Sequence, residues 1–377
     1  MNFDLGFLGG GQLARMSIMA AQRMGLRCVS LDAAADTPAS QVAPSMVGPL
    51  HDPEALASLI GVCARVTLEN EFVPAAALRA ACQAASRPED VLVPGIDCLG
   101  VIQDKFLQRE AYASAGVASP RAVKIEDDGT QAIAKIGFPM VLKQRFGGYD
   151  GKGTRTARTA EEFEDYRGLW DDGGWLAEHF VPFKRELAVM VFRSPDMVGT
   201  FPTMETVQSD HVCDLVFPSD VDASQIAIAA VEAVGGFGLF GVELFDLGDG
   251  TFSVNEIAPR PHNTGHFSLD WGGVSQFEQH VRLAMGLPCI PAGGFSTCMA
   301  NLMGQAGAGD FRRGLVAALG QDPHVRVHWY GKSESRVGRK MGHLNVVGEN
   351  AVERAKAARA RFYAAWTSVA EPAPEIG

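Results

Sequence analysis

The first hundred residues alternate short apolar runs with longer segments in which apolar residues recur at helical spacing. In one such segment, residues 12–24, Leu13, Met16, Ile18 and Ala20 occupy helix-compatible apolar positions. Strands separated by helices are typical of βαβ units, so this region predicts a parallel sheet. The predicted strands cover residues 5–8, 28–31, 66–68 and 91–93, and the other helices cover 53–63 and 74–85.

The pattern changes near residue 97. A helix is predicted over 105–115 and a strand over 140–143, and a loop follows in which four of the seven residues 147–153 are glycine. From Glu186 onward, long apolar runs favour antiparallel strands. These strands are predicted over 187–192, 212–217, 241–247, 251–257 and 325–330, and helices over 223–234, 274–285 and 349–365.

Composition narrows the class of protein. The 377 residues are 47% hydrophobic and carry a formal net charge of −11, which argues against a disordered chain and against a general nucleic-acid binder. No apolar run approaches the ~18 residues of a membrane span. The seven cysteines form no CxxC pair, so neither a disulfide framework nor a zinc site is indicated. Because the first residues also lack the basic region of a signal peptide, we expect a cytoplasmic enzyme without nucleic-acid or membrane partners.

A glycine-rich turn follows the first predicted strand. Residues 9–14 match G-x-G-x-x-G/A, and Asp32 ends the second predicted strand 21 residues beyond Gly11. That spacing is typical of dinucleotide binding and predicts an NAD(P)-dependent oxidoreductase. A loop of this kind at a helix N-terminus also suits a single phosphate group, and a purely structural tight turn is a third reading.

A second glycine loop, residues 147–153, follows the strand that ends in Lys143. It does not match the Walker pattern. Lys143 could reach a nucleotide phosphate while backbone N–H groups wrap the remaining oxygens. A solvent-exposed hairpin tip is an equally weighted alternative.

Glu243 and Glu256 lie in two apolar runs joined through a Gly-Asp-Gly turn. If Asp249 and Gly250 form a two-residue hairpin turn, these glutamates are direct cross-strand neighbours. Paired carboxylates with the adjacent Asn255 are suitable ligands for Mg²⁺. The alternative is a solvated pair of surface acids, and a turn centred one residue earlier would break the pairing.

Two polar segments follow. Residues 257–266 combine Arg260, two histidines, Asn263 and Thr264 in a loop restricted by two prolines and a glycine. Residues 332–343 place five basic side chains between glycines in an acidic chain. Both segments offer donors for an anionic ligand, whereas an ordinary solvated charge run would explain only the second.

Five motifs, GGGQLARM, TLENEFVP, GGYDGKG, VNEIAPRPHNTGH and WYGKSESRVGRKMGH, occur in this order. Together they resemble the ATP-grasp enzymes, and more closely the 5-(carboxyamino)imidazole ribonucleotide synthetases of purine biosynthesis. The resemblance implies a mixed α/β and α+β fold of three domains. These are a Rossmann-like parallel-sheet domain over 1–98, a lid over 99–178, and an antiparallel-sheet domain over 179–377 that carries the basic loop.

The resemblance also implies a reaction. ATP, Mg²⁺ and bicarbonate would convert 5-aminoimidazole ribonucleotide to its carbamate through carboxyphosphate, and the enzyme would be a homodimer. Two positions depart from the family pattern: Gln208 stands in place of a common histidine, and Val337 in place of a proline in the basic loop. The competing classes are the NAD(P)-dependent oxidoreductase and a nucleotide-binding regulator without turnover.

Site residues follow from the same resemblance. The implied ATP-binding residues are Lys105, Lys143, Gly147, Gly148, Tyr149, Asp150, Gly151, Lys152, Gly153, Glu178, His179, Phe180, Val181, Glu186, Asn255 and Glu256. The implied magnesium ligands are Glu243, Glu256 and Asn255, and the implied catalytic residues are Arg260 and Lys340. The implied ribonucleotide-binding residues are Gly10, Gln12, Leu13, Glu71, Tyr149, Asp150, His262, Asn263, Thr264, Lys332, Arg339 and Lys340.

Overall fold

The computed structural model describes residues 2–148, 153–170, 174–209 and 212–367. Four residues that the sequence analysis assigns to the lid loop, Tyr149, Asp150, Gly151 and Lys152, lie outside the described residues. Within the described ranges the chain forms three sheets, of five, four and nine strands.

The first sheet is parallel, as predicted, with the strand order β3-β2-β1-β4-β5. Its central strand carries the fully buried Leu5, Phe7 and Leu8, as expected for a sheet covered on both faces. Its strands are Phe3–Leu8 (β1), Cys28–Asp32 (β2), Ser45–Val47 (β3), Cys63–Leu68 (β4) and Leu92–Val93 (β5). The helices here are Gln12–Arg23 (α1), Pro53–Val62 (α2), Ala75–Ala84 (α3) and Ile96–Gln103 (α4).

The second sheet is antiparallel and small, with the order β6-β9-β7-β8. A separate core that includes Phe163, Trp170 and Trp175 lies against it. Its strands are Ala122–Lys124 (β6), Met140–Gln144 (β7), Thr154–Ala157 (β8) and Trp175–His179 (β9). The neighbouring helices are Lys105–Ser114 (α5), Thr130–Ile136 (α6) and Ala160–Asp165 (α7).

The third sheet is antiparallel, with the order β15-β14-β10-β12-β13-β16-β18-β17, and β11 pairs with β10. Its first strands are Arg185–Arg193 (β10), Val198–Thr200 (β11), Met204–Ser209 (β12), Val212–Pro218 (β13) and Gly238–Asp246 (β14). The remaining strands are Phe252–Ala258 (β15), Thr297–Met303 (β16), Arg326–Trp329 (β17) and Lys340–Val347 (β18). The helices of this region are Ser224–Ala233 (α8), Gln276–Ala284 (α9), Phe311–Gln321 (α10) and Ala351–Trp366 (α11).

The first sheet packs against the third through α1 and α9. Ile18 of α1 and Val281 of α9 share one buried cluster, and Leu13 and Phe277 share a second. A buried hydrogen bond of 3.0 Å between Thr67 Oγ1 and His280 Nε2 adds a polar contact between the same regions. The glycine turn at the start of α1 is therefore fixed against the large sheet.

The β14–β15 hairpin corrects one detail of the sequence analysis. Glu243 pairs with Glu256, as predicted, but the predicted two-residue Asp249–Gly250 turn is wrong. Asp246 pairs with Phe252, and Leu247 N–H bonds to Thr251 O, which leaves a three-residue turn whose two glycines both have positive φ. Next to Glu243 the register shifts, and Asn255 becomes a bulge residue that restores the glutamate pair.

No helix in the described ranges is both long enough and apolar enough to cross a membrane.

Candidate active site

Paired acids on β14 and β15 form the centre of the candidate site. Glu243 and Glu256 are direct cross-strand partners, with Asn255 in the bulge between them. Lys105, the first residue of α5, places its Nζ 2.5 Å from Glu256 Oε1, and Asp104 caps that helix by accepting the Phe106 N–H. Residues 151 positions apart in sequence therefore meet in one charged cluster.

The two carboxylates differ in their electrostatic surroundings. Burial, together with repulsion by Glu256 and Glu186, raises the pKa of Glu243 to about 7. Burial would also raise the pKa of Glu256, but Lys105 and Lys143 outweigh it and hold that pKa below its usual value. Glu243 is therefore the member of the pair whose ionisation most needs an additional cation.

His262 adds a neutral ring to this acid pair. Its Nε2 lies 3.6 Å from Glu243 Oε1, and its Nδ1 lies 2.9 Å from Thr264 Oγ1. Burial, assisted by Arg260 and Lys340, holds the pKa of His262 well below its usual value. The ring can therefore exchange hydrogen bonds near Glu243 without supplying a positive charge.

Lys143 on β7 connects the small sheet to the acid pair. Its Nζ donates to Asn255 Oδ1 at 3.1 Å and forms an ion pair with Glu178 Oε2 at 2.9 Å. Glu178, at the end of β9, also accepts from Arg109 Nε at 2.8 Å. The Glu178 side chain is thus committed to two cations, so only its backbone remains for the adenine hinge that the resemblance implied. Arg109 is a charged site residue that the sequence analysis did not identify.

Arg260 and Glu71, which the resemblance placed in different roles, form an ion pair. Arg260 NH2 donates to Glu71 Oε1 at 2.8 Å, and its Nε donates to Glu71 Oε2. Both side chains are about 15% exposed. This two-point contact orients the guanidinium at the boundary between the first and third sheets.

The glycine turn at the start of α1 faces two carboxylates. Gly10 N–H donates to Asp32 Oδ2 at 2.8 Å, and Leu13 N–H faces Glu69 Oε1 at 3.4 Å. A side chain on Gly11 would overlap Glu69, which the sequence analysis did not single out. Burial raises the pKa of Glu69 to about 7. Backbone donors that the dinucleotide hypothesis reserves for a phosphate are therefore already used by acids.

The loop after β15 is held by amide side chains. Gln276 accepts from the His262 N–H and donates to the His262 carbonyl, both at 2.9 Å. The side-chain amides of Asn263 and Asn301 form two hydrogen bonds with each other, of 3.0 and 2.7 Å. Neither Gln276 nor Asn301 stood out in the sequence, although both are fully buried polar residues within this fold.

The basic loop ends at β18. Lys332 Nζ donates to the Lys340 carbonyl at 2.7 Å, and Arg339 NH1 donates to the Glu334 carbonyl at 2.9 Å. Of the two departures from the family pattern, Val337 is 74% exposed, and Gln208 adjoins a register shift between β12 and β13.

Stacked histidines join the two polar loops. The rings of His266 and His343 lie 4.8 Å apart, and His328 stacks on His343 at 4.6 Å. Tyr330 OH lies 2.9 Å from His343 Nδ1. The last histidines of the two motifs are therefore packing partners that fix one loop against the other.

A cavity of about 610 Å³ opens beside Lys332. Arg15 of α1 and Gln41 are among the residues that line it, and Gln41 Nε2 donates to the Gly331 carbonyl at 2.5 Å. Arg15 NH1 in turn donates to Gln41 Oε1 at 2.6 Å. This chain of bonds positions the start of the basic loop.

The other predicted residues lie on or beside the strands and helices already described. Glu186 lies on β10, beside β14, and its charge acts on Glu243. His179 is exposed, and its N–H donates to the Arg121 carbonyl, whereas Phe180 and Val181 follow β9 and are half-buried. Gly147 and Gly153 have positive φ on either side of the residues that are not described, and Gly148 follows Gly147. Gln12 begins α1 and is half-buried.

Among the residues described, no group of three or more His, Cys, Asp or Glu side chains could hold a metal ion. A cation at the Glu243–Glu256 pair would therefore need further oxygen ligands from a bound molecule.

Three domain families match the chain in sequence. Residues 2–103 match the ribonucleotide synthetase preATP-grasp domain, and residues 110–277 match the ATP-grasp domain. Residues 297–357 match the phosphoribosylaminoimidazole carboxylase C-terminal domain.

Similar whole proteins come from bacteria and yeasts. The N5-carboxyaminoimidazole ribonucleotide synthase of Synechococcus elongatus is 38% identical, and the alignment covers 94% of this chain and 92% of that protein. The enzyme of the same name from Mycobacterium bovis is 37% identical over 96% and 87% of the two chains. The phosphoribosylaminoimidazole carboxylase of Ogataea methanolica is 37% identical over 92% of this chain, which spans only 66% of that protein's length.

Solved structures show the same architecture. The N5-carboxyaminoimidazole synthase of Aspergillus clavatus, in complex with ADP and 5-aminoimidazole ribonucleotide, superposes with a TM-score of 0.86 at 30% identity. That match covers 98% of this chain and 99% of the other. The Staphylococcus aureus N5-carboxyaminoimidazole synthetase complexed with ADP gives 0.85 at 29% identity over 96% and 97% of the chains. These relatives give no support to the oxidoreductase hypothesis.

The pKa of Glu243 leads to a prediction about stability. Its pKa rises from 4.5 in the unfolded chain to about 7 in the folded protein, so the folded state binds more protons between these values. Stability in the absence of divalent cations should therefore fall as the pH rises from 4.5 to 7. Glu243→Gln should remove this loss. When each protein is referred to its own value at pH 4.5, the free energy of unfolding of the variant at pH 8 should exceed that of wild type by at most about 3 kcal/mol. The 31% exposure of the side chain reduces that figure by solvent screening.

Urea unfolding of both proteins at pH 5 and pH 8, with a chelator present, measures the difference. Parallel pH dependence in the two proteins would contradict the assignment of this pKa.

Proposed function

We propose an activity for this chain, which belongs to the N5-carboxyaminoimidazole ribonucleotide synthase family: ATP- and bicarbonate-dependent carboxylation of 5-aminoimidazole ribonucleotide. The product would be the carbamate of the substrate amine, in purine biosynthesis. The observation that carries the proposal is the charged cluster in which Lys105 and Lys143 contact Glu256 and Asn255 beside Glu243. That cluster adjoins the loop that presents His262, Asn263 and Thr264.

ATP would bind between the small sheet and the third sheet. Lys105 and Lys143 would contact its phosphates, and the backbone after β9 would hold adenine, with Glu186 near the ribose. Gly147, Gly148 and Gly153 border the segment that would close over the phosphates. Closure would protect a reactive intermediate from water.

The donor set fits Mg²⁺. Glu243 and Glu256 supply hard carboxylate oxygens, Asn255 supplies an amide oxygen, and burial and the neighbouring acids raise the pKa of Glu243. When bound, Mg²⁺ would neutralise phosphate charge and polarise the transferred phosphoryl group. The site thus provides what phosphoryl transfer requires, which is positioning and electrostatic stabilisation.

The reaction would proceed in two steps. A bicarbonate oxygen attacks the γ-phosphorus of ATP, the bond to ADP breaks, and carboxyphosphate forms. The amine of the ribonucleotide then forms a C–N bond to the carboxyl carbon, phosphate leaves, and one proton leaves the amine. Arg260, which forms an ion pair with Glu71, and Lys340 would bind the anionic carboxyl and phosphate groups.

The ribonucleotide would bind across the interface of the first and third sheets. Gly10, Gln12 and Leu13, at the start of α1, would contact it, and so would the 262–264 loop. Lys332, Arg339 and Lys340 would bind its phosphate. The acids that face the glycine turn favour contacts with ribose hydroxyls there over contacts with phosphate.

Three broader expectations accompany this activity. We propose domains over 1–98, 99–178 and 179–377, a homodimer, and a cytoplasmic location. Sedimentation of the purified chain tests the oligomeric state.

The decisive assay measures ADP release with ATP, Mg²⁺ and bicarbonate, in the presence and absence of the ribonucleotide. Glu256→Gln should reduce release by at least about 100-fold while the fold is retained, because the amide keeps the side-chain volume but removes the charge opposing the metal. Glu353→Gln, on the exposed surface of α11, is a matched control and should behave as wild type. Near-normal turnover by folded Glu256→Gln would contradict the assignment of the acid pair as magnesium ligands.

Lys340→Ala tests whether Lys340 binds the ribonucleotide and not ATP. The Michaelis constant for the ribonucleotide should rise about tenfold or more, and that for ATP should change less than threefold. Lys356→Ala, an exposed lysine of α11, controls for loss of a positive charge. Steady-state kinetics with each substrate varied in turn give the answer, and equal effects on both constants would count against this role.

A further inference from the structure

Arg109 is a buried cation beside the candidate ATP site that has no assigned role. It projects from α5 and is 5% exposed. Its Nε donates to Glu178 Oε1 at 2.8 Å, and its NH2 donates to the Asn255 carbonyl at 2.7 Å. One guanidinium therefore joins β9 of the small sheet to the bulge of β15 in the large sheet.

The partner of Arg109 is shared with Lys143. The two oxygens of Glu178 are divided between the cations, with Oε1 on Arg109 and Oε2 on Lys143. Glu178 is 2% exposed and Lys143 is 13% exposed, so water screens this triad weakly. Its formal charge is +1, because two cations share one carboxylate.

The charge count changes if Arg109 is removed. Glu178 and Lys143 alone form a neutral pair, and the carboxylate would draw Lys143 towards itself. Oε1 of Glu178 would also lose its partner in a buried place, which is costly. A neutral pair offers little attraction to a polyphosphate, whereas the triad retains one net positive charge.

We infer that Arg109 is a positioning residue that keeps Lys143 available to the ATP phosphates. It does so by binding one of the two Glu178 oxygens and by balancing the charge of that carboxylate. The inference rests on the proposed ATP site. Arg109 would act through Glu178 and Lys143, without binding ATP itself. Its second bond, to the Asn255 carbonyl, holds the bulge that places Asn255 and Glu256 opposite Lys143 and Lys105.

The direction of the pKa shifts is consistent with this charge balance. Burial would raise the pKa of Glu178, but Arg109 and Lys143 together lower it to about 2. Burial lowers the pKa of Lys143, and Glu178 partly offsets this effect, while Arg109 and Lys105 act in the same direction as burial. Glu178 thus stays ionised, and it needs both cations.

Calorimetric titration with ATP and Mg²⁺, without bicarbonate or ribonucleotide, isolates binding from turnover. Three variants separate charge from packing: Arg109→Gln, Arg109→Lys and the double variant Arg109→Gln/Glu178→Gln. Arg354→Gln is the matched control, since Arg354 forms an ion pair of 2.7 Å with the largely buried Asp322 far from β7 and β15. Thermal unfolding of each protein monitors the fold.

Arg109→Gln should weaken ATP binding about tenfold, whereas Arg109→Lys should stay within about threefold of wild type because it keeps the charge. The double variant should recover to that range, because Lys143 then carries an uncompensated charge again. Arg354→Gln should lose thermal stability only. The Michaelis constant for the ribonucleotide should change less than twofold in Arg109→Gln.

Two results would overturn the inference. One is wild-type ATP affinity in folded Arg109→Gln. The other is a double variant as weak as Arg109→Gln, since that would assign the effect to packing. Absence of ATP binding in the wild-type protein is a different outcome, because it would overturn the proposed function itself and the inference with it.

Discussion

Two carboxylates held side by side determine the arrangement of charge around them. Glu243 and Glu256 are direct partners on neighbouring strands, where like charges repel unless cations lie between or beside them. Lys105 neutralises Glu256, and Lys143 approaches through Asn255. These cations come from α5 and from the small sheet, so the acid pair can exist at its present charge only when α5 and the small sheet are assembled against the third sheet. Fold and site are therefore coupled through electrostatics as well as through apolar packing.

Periodicity predicted the elements whose burial follows a simple pattern. Four of the five parallel strands and α1, α2 and α3 were recognised because their apolar residues cluster on faces covered by the core. The short strand Ser45–Val47 was not predicted, and none of its residues is fully buried. Central strands of the large sheet were missed where buried positions are polar. The strand Lys340–Val347 starts in a basic segment and buries His343 and Asn345, while Thr297–Met303 buries Asn301. Such side chains are stable inside because partners distant in sequence bond to them, and a hydropathy pattern does not contain those partners.

For the acid pair, the sequence predicted the right contact from a turn that was partly wrong. A two-residue turn gives the observed partners of Glu243 and Glu256, whereas the three-residue turn alone would displace them by one position. The Asn255 bulge compensates for that displacement. The bulge is held from outside the hairpin, by the Arg109 guanidinium on its carbonyl and by Lys143 on its side chain. Long-range hydrogen bonds thus fix a local register that turn preferences leave undetermined.

The glycine turn illustrates why a motif alone does not identify a ligand. Glycines 9 to 11 permit close approach to the start of α1, and the same spacing serves dinucleotides and single phosphates. The sequence contains Asp32 and Glu69 but does not show that both reach this turn. The structure places Asp32 on the Gly10 N–H and Glu69 opposite the Leu13 N–H, so part of the available positive potential is already balanced by the protein. A phosphate at this position would have to displace or face these acids, whereas the hydroxyl groups of a sugar could donate to them. The balance of charge around the turn, and not the glycine spacing, therefore decides which part of a ligand can bind there.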